Sequence, residues 1–226
     1  MIIKKESDDY KKGFLLYIEI IKSLNLVKIN NSNLRLEIQY ESLTDWSQIH
    51  SFQFVKNWFL KKRKNPSIKV KNIPLNHCRN WEMKKGNYVH KSGEFFKVTA
   101  LRVSETKSRE VDEWDQPILT QKHGGILAIL MREKKSGIIE FLLCARREPG
   151  DAKLKLCPSF SATRSNINLA HGGKKTLLSN LIFNHKKSNL IAKTIHYEEG
   201  ARFWRKNNQN LLIKIDKKDQ LKINKF

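Results

Sequence analysis

The chain has 226 residues, enough for one ordinary domain with an extension or two small ones, and long enough to bury a real core. Hydrophobic residues make up 39% and aromatics 9%, which excludes wholesale disorder although 29% of the residues are charged. The net charge is +22, from 44 Lys and Arg against 22 Asp and Glu, so an anionic partner has to be considered.

The basic excess is mostly Lys and runs from Lys4 to Lys225; KKRK at 61–64 is the one tight cluster, and it reads as a solvated loop sooner than a nucleic-acid grip. Nucleic-acid binding is therefore the third-ranked reading. Cys78, Cys144 and Cys157 are an odd count without a C-x-x-C pair, which points away from a disulfide framework or a zinc site and fits a reducing cytoplasm. GFLLYIEIIKSLNL is interrupted by Glu19 and Lys22, too short to span a bilayer, and preceded by mixed charges unlike a signal peptide. A soluble chain without a membrane partner is expected.

In chain order, Tyr10, Phe14, Leu15, Ile18, Ile21 and Leu24 recur at helical intervals and predict a helix over 7–24, with Ser7 or Asp8 as its cap. NLRLEIQY alternates like a strand, or forms an exposed connector. Trp46, Ile49, Phe52, Val55 and Phe59 predict a second helix from about Thr44 to Lys62, ending in the basic cluster and Pro66. After Pro74 the character changes to β-type runs: GEFFKVTALRV (93–103), GGILAILMRE (124–133) and GIIEFLLCARR (137–147), the last two joined by the turn-like EKKSG. These should pair as antiparallel strands. KKTLLSNLIFNHKK reads as a short helix, with ARFW and NLLIKID as two final strands. The expected fold class is α+β, a mixed sheet flanked by helices over 71–226 behind a mostly helical arm over 1–70.

Five stretches are polar where packing alone does not require it, and each lies at a strand end or in a loop, where sites are usually built. They are NYVHKSGEFF, REVDEWDQP, ARREPG, CPSFSATRSN and HYEEGARF. The residue types suit a nucleotide ligand. Trp114 can stack on a base, Gln116 offers a donor and an acceptor to a base edge, and arginines fork onto a diphosphate. The bland alternative is that Trp114 is core and Arg109 a surface charge. Arg146 and Arg202 are the better diphosphate candidates, because each is expected beside apolar neighbours in a strand, where a buried guanidinium needs an anion. No spacing for metal ligands is present, and no metal or other cofactor is expected.

The ordered run IPLNHCRNW, HKSGEFFKVTALRV, REVDEWDQP, RREPG, PSFSATRSN and EEGARF, over about residues 72–216, resembles the NDP-hexose 2,3-dehydratase family of deoxysugar biosynthesis. The resemblance implies a Nudix-like fold and dehydration of a nucleotide-linked 4-keto-6-deoxyglucose, usually carried on dTDP. It also implies that REVDEWDQP helps form the nucleotide-sugar pocket, with Arg109, Trp114, Gln116, Arg146, Thr163, Asn166 and Arg202 as substrate-binding candidates. A ketone at C4 acidifies the C3 proton, so the reaction needs a base for that proton, a donor for the enolate oxygen and an acid for the C2 hydroxide. Glu148 and either Glu198 or Glu199 are the acid and base candidates, with His90 a third.

Two departures stand out. The family usually carries two tandem units where this chain carries one, which implies a homodimer, a second dehydratase half as partner, or a binding half without turnover. The family also typically has Gln at the position of Ser161, and Gln and Ser at those of His196 and Tyr197. A Nudix hydrolase would need the helix motif G-x5-E-x7-R-E-x-x-E-E-x-G to hold magnesium, and HYEEGARF shares only its paired glutamates.

Overall fold

A computed structural model describes residues 2–24, 34–43, 50–65, 68–133, 139–170, 172–216 and 219. Three helices come first: α1 (Ile2–Ser23), α2 (Leu34–Ser42) and α3 (His50–Lys64). Residues 44–49, the start of the second expected helix, lie outside the described residues, and so does most of EKKSG. KKRK is the last turn of α3, where cations face the negative end of the helix dipole.

Residues 34–40 of NLRLEIQY are helical, neither strand nor connector. Their alternating apolar positions include Leu36 and Tyr40, which are also an i, i+4 pair, so the same residues satisfy a helical face. Contact with α1 decides between the two: the Tyr40 ring lies 5.7 Å from Phe14 and 5.6 Å from Tyr17. Glu41, one residue on, is buried and accepts a 2.9 Å hydrogen bond from the backbone N–H of Ile139, which ties α2 to the sheet domain.

The rest is two sheets with short helices. A four-stranded antiparallel meander runs β1 (Trp81–Lys84), β2 (Asn87–His90), β3 (Lys97–Val103) and β4 (Trp114–Thr120) in that order. Lys85 and Gly86, both at positive φ, make the two-residue turn between β1 and β2 that a twisted hairpin prefers. GEFFKVTALRV therefore contributes a strand to this sheet, apart from the other two β-runs, and the end of REVDEWDQP is its edge strand.

The second sheet holds β5 (Gly125–Glu133), β6 (Ile139–Arg146), β7 (Lys155–Pro158), β8 (Phe160–Thr163), β9 (Leu190–Tyr197) and β10 (Asn207–Lys214). Its order is β7-β6-β5-β10-β9, with β8 also paired to β5. The apolar run of β5 explains its central place. β10 pairs with it in parallel on one side, while on the other β8 takes Gly125–Ala128 and β6 takes Leu130–Glu133, both antiparallel. Ser159 bridges the change of partner: its buried Oγ accepts from Leu130 N at 2.9 Å and donates to Leu142 O. Two small helices, α4 (Arg164–Ile167) and α5 (Ser179–Phe183), follow β8. Ala128, Leu130, Phe160, Ala162, Ile182, Leu211 and Ile213 form the core between this sheet and α5.

ARFW is not a strand. Glu199 O accepts from Arg202 N and Phe203 N at 3.0 and 2.9 Å, curling the segment into a turn. Only Phe203 makes a single bridge, to Leu119, flanked by Leu119 N donating to Arg202 O and Trp204 N donating to Leu119 O, each at 2.8 Å. That bridge lashes the edge of the first sheet to the β9–β10 connection of the second. Among the described residues no helix is long and apolar enough to cross a membrane.

Candidate functional site

A cleft of about 440 Å³ opens where the loop after β2, the β4–β5 connection and the start of α4 meet. Its size falls in the range of small-molecule sites, roughly 300–1,000 Å³. Gly93, Glu94 and Phe95 line one wall, Gln121, Lys122 and His123 the second, and Arg164, Ser165 and Asn168 the third. Gly93, at φ +71, makes the tight turn after β2 that a side chain would strain. Lys122 and Arg164 form no ion pair among the described residues, and with Glu94 the one carboxylate in the lining the cleft keeps a net positive charge. Aromatic support comes from behind: the His90 ring sits 4.4 Å from Phe95 and 5.5 Å from Trp81, and its Nδ1 is 2.8 Å from Ser92 Oγ. Thr163 is the N-cap of α4; its Oγ1 accepts from Asn166 N and lies 3.0 Å from Ser165 Oγ.

A second cluster surrounds the bridge between the sheets. Trp114 Nε1 donates to Gln116 Oε1 at 2.7 Å and Gln116 Nε2 donates to Ala201 O at 2.9 Å, so the amide is engaged at both ends. Residues of REVDEWDQP thus hold the turn of EEGARF. Within that turn Arg202, exposed and outside any strand, forms an ion pair with Glu199. Its expected place beside apolar strand neighbours does not hold, because the segment is a turn.

Glu198 is the most enclosed of the three nominated glutamates. Its Oε1 accepts from Asn208 Nδ2 and lies 3.7 Å from Lys206 Nζ. Asn208 Oδ1 in turn accepts from the backbone N–H of Gly125 at 2.7 Å, and Gly125 is the cross-strand partner of Thr163. A chain of three contacts therefore runs from Glu198 to the strand end beside the cleft.

The remaining candidates sit elsewhere. Arg146 ends β6, with Nη1 3.6 Å from Glu148 and 3.4 Å from Ser161 O, and Glu148 begins the following turn, exposed. Asn166 borders a smaller hollow of about 170 Å³ with Leu169, Gly173, Lys174 and Thr176. Arg109 is exposed in the loop before β4, its backbone N–H donating to Thr106 O at 3.4 Å. Among the described residues no three His, Cys, Asp or Glu side chains converge as a metal site would require.

The residues that build both clusters fall inside one family-wide pattern. The sequence model of the NDP-hexose 2,3-dehydratase family matches residues 53–226, more than three quarters of the chain. The chain belongs to the NDP-hexose 2,3-dehydratase family. A dTDP-4-dehydro-6-deoxy-α-D-glucopyranose 2,3-dehydratase of Amycolatopsis orientalis is 35% identical over 177 residues, 75% of this chain and 37% of that protein. Enzymes of the same description from Saccharopolyspora spinosa and Streptomyces violaceoruber are 32% and 28% identical over 161 and 172 residues. These alignments take in 70% and 74% of this chain and 33% and 38% of those proteins. The chain spans little more than a third of the length of these relatives.

In this dehydratase-family chain several lining residues escaped the sequence reading. Gln121, Lys122 and His123 were legible as a polar triplet directly before the Gly-Gly that opens β5, a loop position of the kind that builds sites. Arg164 lies inside a motif already singled out. Lys206 and Asn208 carried no local signal, since a lysine and an asparagine in a chain so rich in both stand out only once Glu198 is beside them.

Proposed function

We propose that this chain is a sugar-nucleotide 2,3-dehydratase unit, a carbon–oxygen lyase of deoxysugar biosynthesis acting on a dTDP-linked 4-keto-6-deoxyglucose. The match of the dehydratase family model over residues 53–226 carries the reading. The three relatives, each described as acting on that sugar nucleotide, support the substrate. In this reading Lys122 and Arg164 face the diphosphate at the cleft, where two cations against the single carboxylate of Glu94 favour an anionic group.

The chemistry follows from the C4 ketone. Glu198 takes the C3 proton; the electron pair of the broken C3–H bond becomes an enolate with its charge on the C4 oxygen. Return of that pair forms the C2–C3 double bond and expels the C2 hydroxide, which leaves as water after accepting a proton. His90, held by Ser92 beside the aromatic wall of the cleft, is the proposed acid. Glu198 is preferred over Glu199, which is committed to Arg202, and over Glu148, which stands exposed against Arg146. The chemistry needs no cofactor.

A test is solvent deuterium incorporation at C3 of the 4-keto sugar nucleotide. Exchange by the wild-type chain and its loss, by at least a hundredfold, in Glu198→Gln is expected, since general base catalysis contributes roughly 10²–10⁴. Exchange undiminished in that variant removes Glu198 from the base's role.

A second reading is favoured by length: a chain spanning about a third of its relatives acts as one half, pairing with a second copy or with another dehydratase unit in the cytoplasm. Wild-type turnover that appears only when such a unit is added would support it.

A further inference from the structure

Lys206 carries a largely covered ammonium that the proposed mechanism leaves unused. Its side chain is 10% exposed, and its Nζ lies 4.6 Å from the centroid of the Phe203 ring and 3.7 Å from Glu198 Oε1. The backbone fixes the pair independently, because Glu198 N donates to Lys206 O at 2.9 Å. At 3.7 Å the contact is too long for a hydrogen bond, so the ammonium acts on the carboxylate through its charge. The hydrogen bond to Oε1 comes instead from Asn208, whose own amide oxygen is anchored on Gly125. Both partners engage Oε1, and Oε2 is left without a partner among the described residues.

We propose that Lys206 is a positioning residue for the dehydration. With Asn208 it holds the Glu198 carboxylate turned, so that Oε2 is presented to the C3 proton. The other charged or titratable groups near Glu198 offer no substitute. Arg202 is tied to Glu199, Arg205 lies over the Trp204 ring, and His196, opposite Asn208 in the β9–β10 register, has its Nε2 3.2 Å from Thr194 Oγ1. The proposal rests on the reading of Glu198 as the C3 base.

The test is C3 deuterium exchange, read as kcat and KM, for the wild-type chain and for Lys206→Met, Lys206→Arg and Glu198→Gln. Loss of the cation lets the carboxylate turn and lowers kcat for exchange about tenfold, with KM unchanged. Arginine restores the wild-type rate. An unchanged kcat in Lys206→Met, with only the melting temperature lowered, overturns the positioning role and leaves Lys206 structural. Persistent exchange in Glu198→Gln overturns the base assignment, and the Lys206 proposal with it. If the wild-type chain shows no exchange, a melting cycle decides the pairing. A Lys206→Met/Glu198→Gln double variant that melts no lower than Lys206→Met sustains it, and strictly additive losses overturn it.

Discussion

Replacing Glu37 with Gln is expected to stabilise the chain at neutral pH. Burial on α2 pushes the Glu37 carboxyl above its ordinary value of 4.5, reinforced by Glu133 and Glu41 and partly opposed by Lys214. A folded-state carboxyl with a raised pKa binds its proton more tightly than the unfolded chain does, so stability falls as pH rises through 4.5 and beyond. Removing the charge recovers that loss above this window and nothing below it. Melting temperatures of Glu37→Gln and wild type should therefore differ near pH 7 and converge near pH 4; a constant difference would assign the effect to packing. Ser159 presents the opposite case. Its Oγ serves both Leu130 N and Leu142 O in the core, so Ser159→Ala strands a buried N–H and should cost about 1–3 kcal/mol in denaturant melts. Residue chemistry is readable in sequence where the residue type itself restricts its use: Trp114 offers a ring to stack on a base and Gln116 a donor and an acceptor. The partner of the Gln116 amide, Ala201 O, lies 85 residues away and has no side-chain signature, so that clip is visible only in three dimensions.

At the scale of elements, β5, β6 and β10 were legible because apolar runs bounded by glycine or polar residues have few ways to be buried except as inner strands. Gly124, just ahead of β5, is fixed by a close approach: a Cβ there would lie 1.7 Å from the carbonyl oxygen of Asn207. Gly124→Ala must push β10 away from β5, with an expected loss of about 1–3 kcal/mol and a disturbed Asn208–Gly125 contact. Urea melts check the first, and loss of C3 exchange beyond the loss of folded fraction checks the second. The misread elements share a cause. α2 shows strand-like alternation because two of its apolar positions satisfy both periods, and packing on α1 chose the helix. ARFW has strand-type residues, but the hydrogen bonds to Glu199 O closed it into a turn. β9 is hard to read because Lys193 interrupts the face that carries Ile191, Ile195 and Tyr197, and this outer strand leaves all three exposed.

For the molecule as a whole, the order of six short motifs revealed the family, while the cleft depended on loops whose convergence no local pattern encodes. Phe95, Gln121 and Arg164 come from three separate stretches that the two sheets bring to one place. The charge of +22 makes any anion bind more tightly at low salt, so charge alone does not separate a nucleotide from nucleic acid. The most direct measurement is therefore the melting temperature with dTDP, with a random oligonucleotide as the control. At about 100 times its dissociation constant a ligand adds about 2.7 kcal/mol, a rise on the order of 5–10 °C for a chain of this size. The account predicts that rise with dTDP, its reduction in Arg164→Ala, and none with the oligonucleotide. No rise with dTDP, or a rise with the oligonucleotide alone, would contradict a nucleotide-sugar site on this chain.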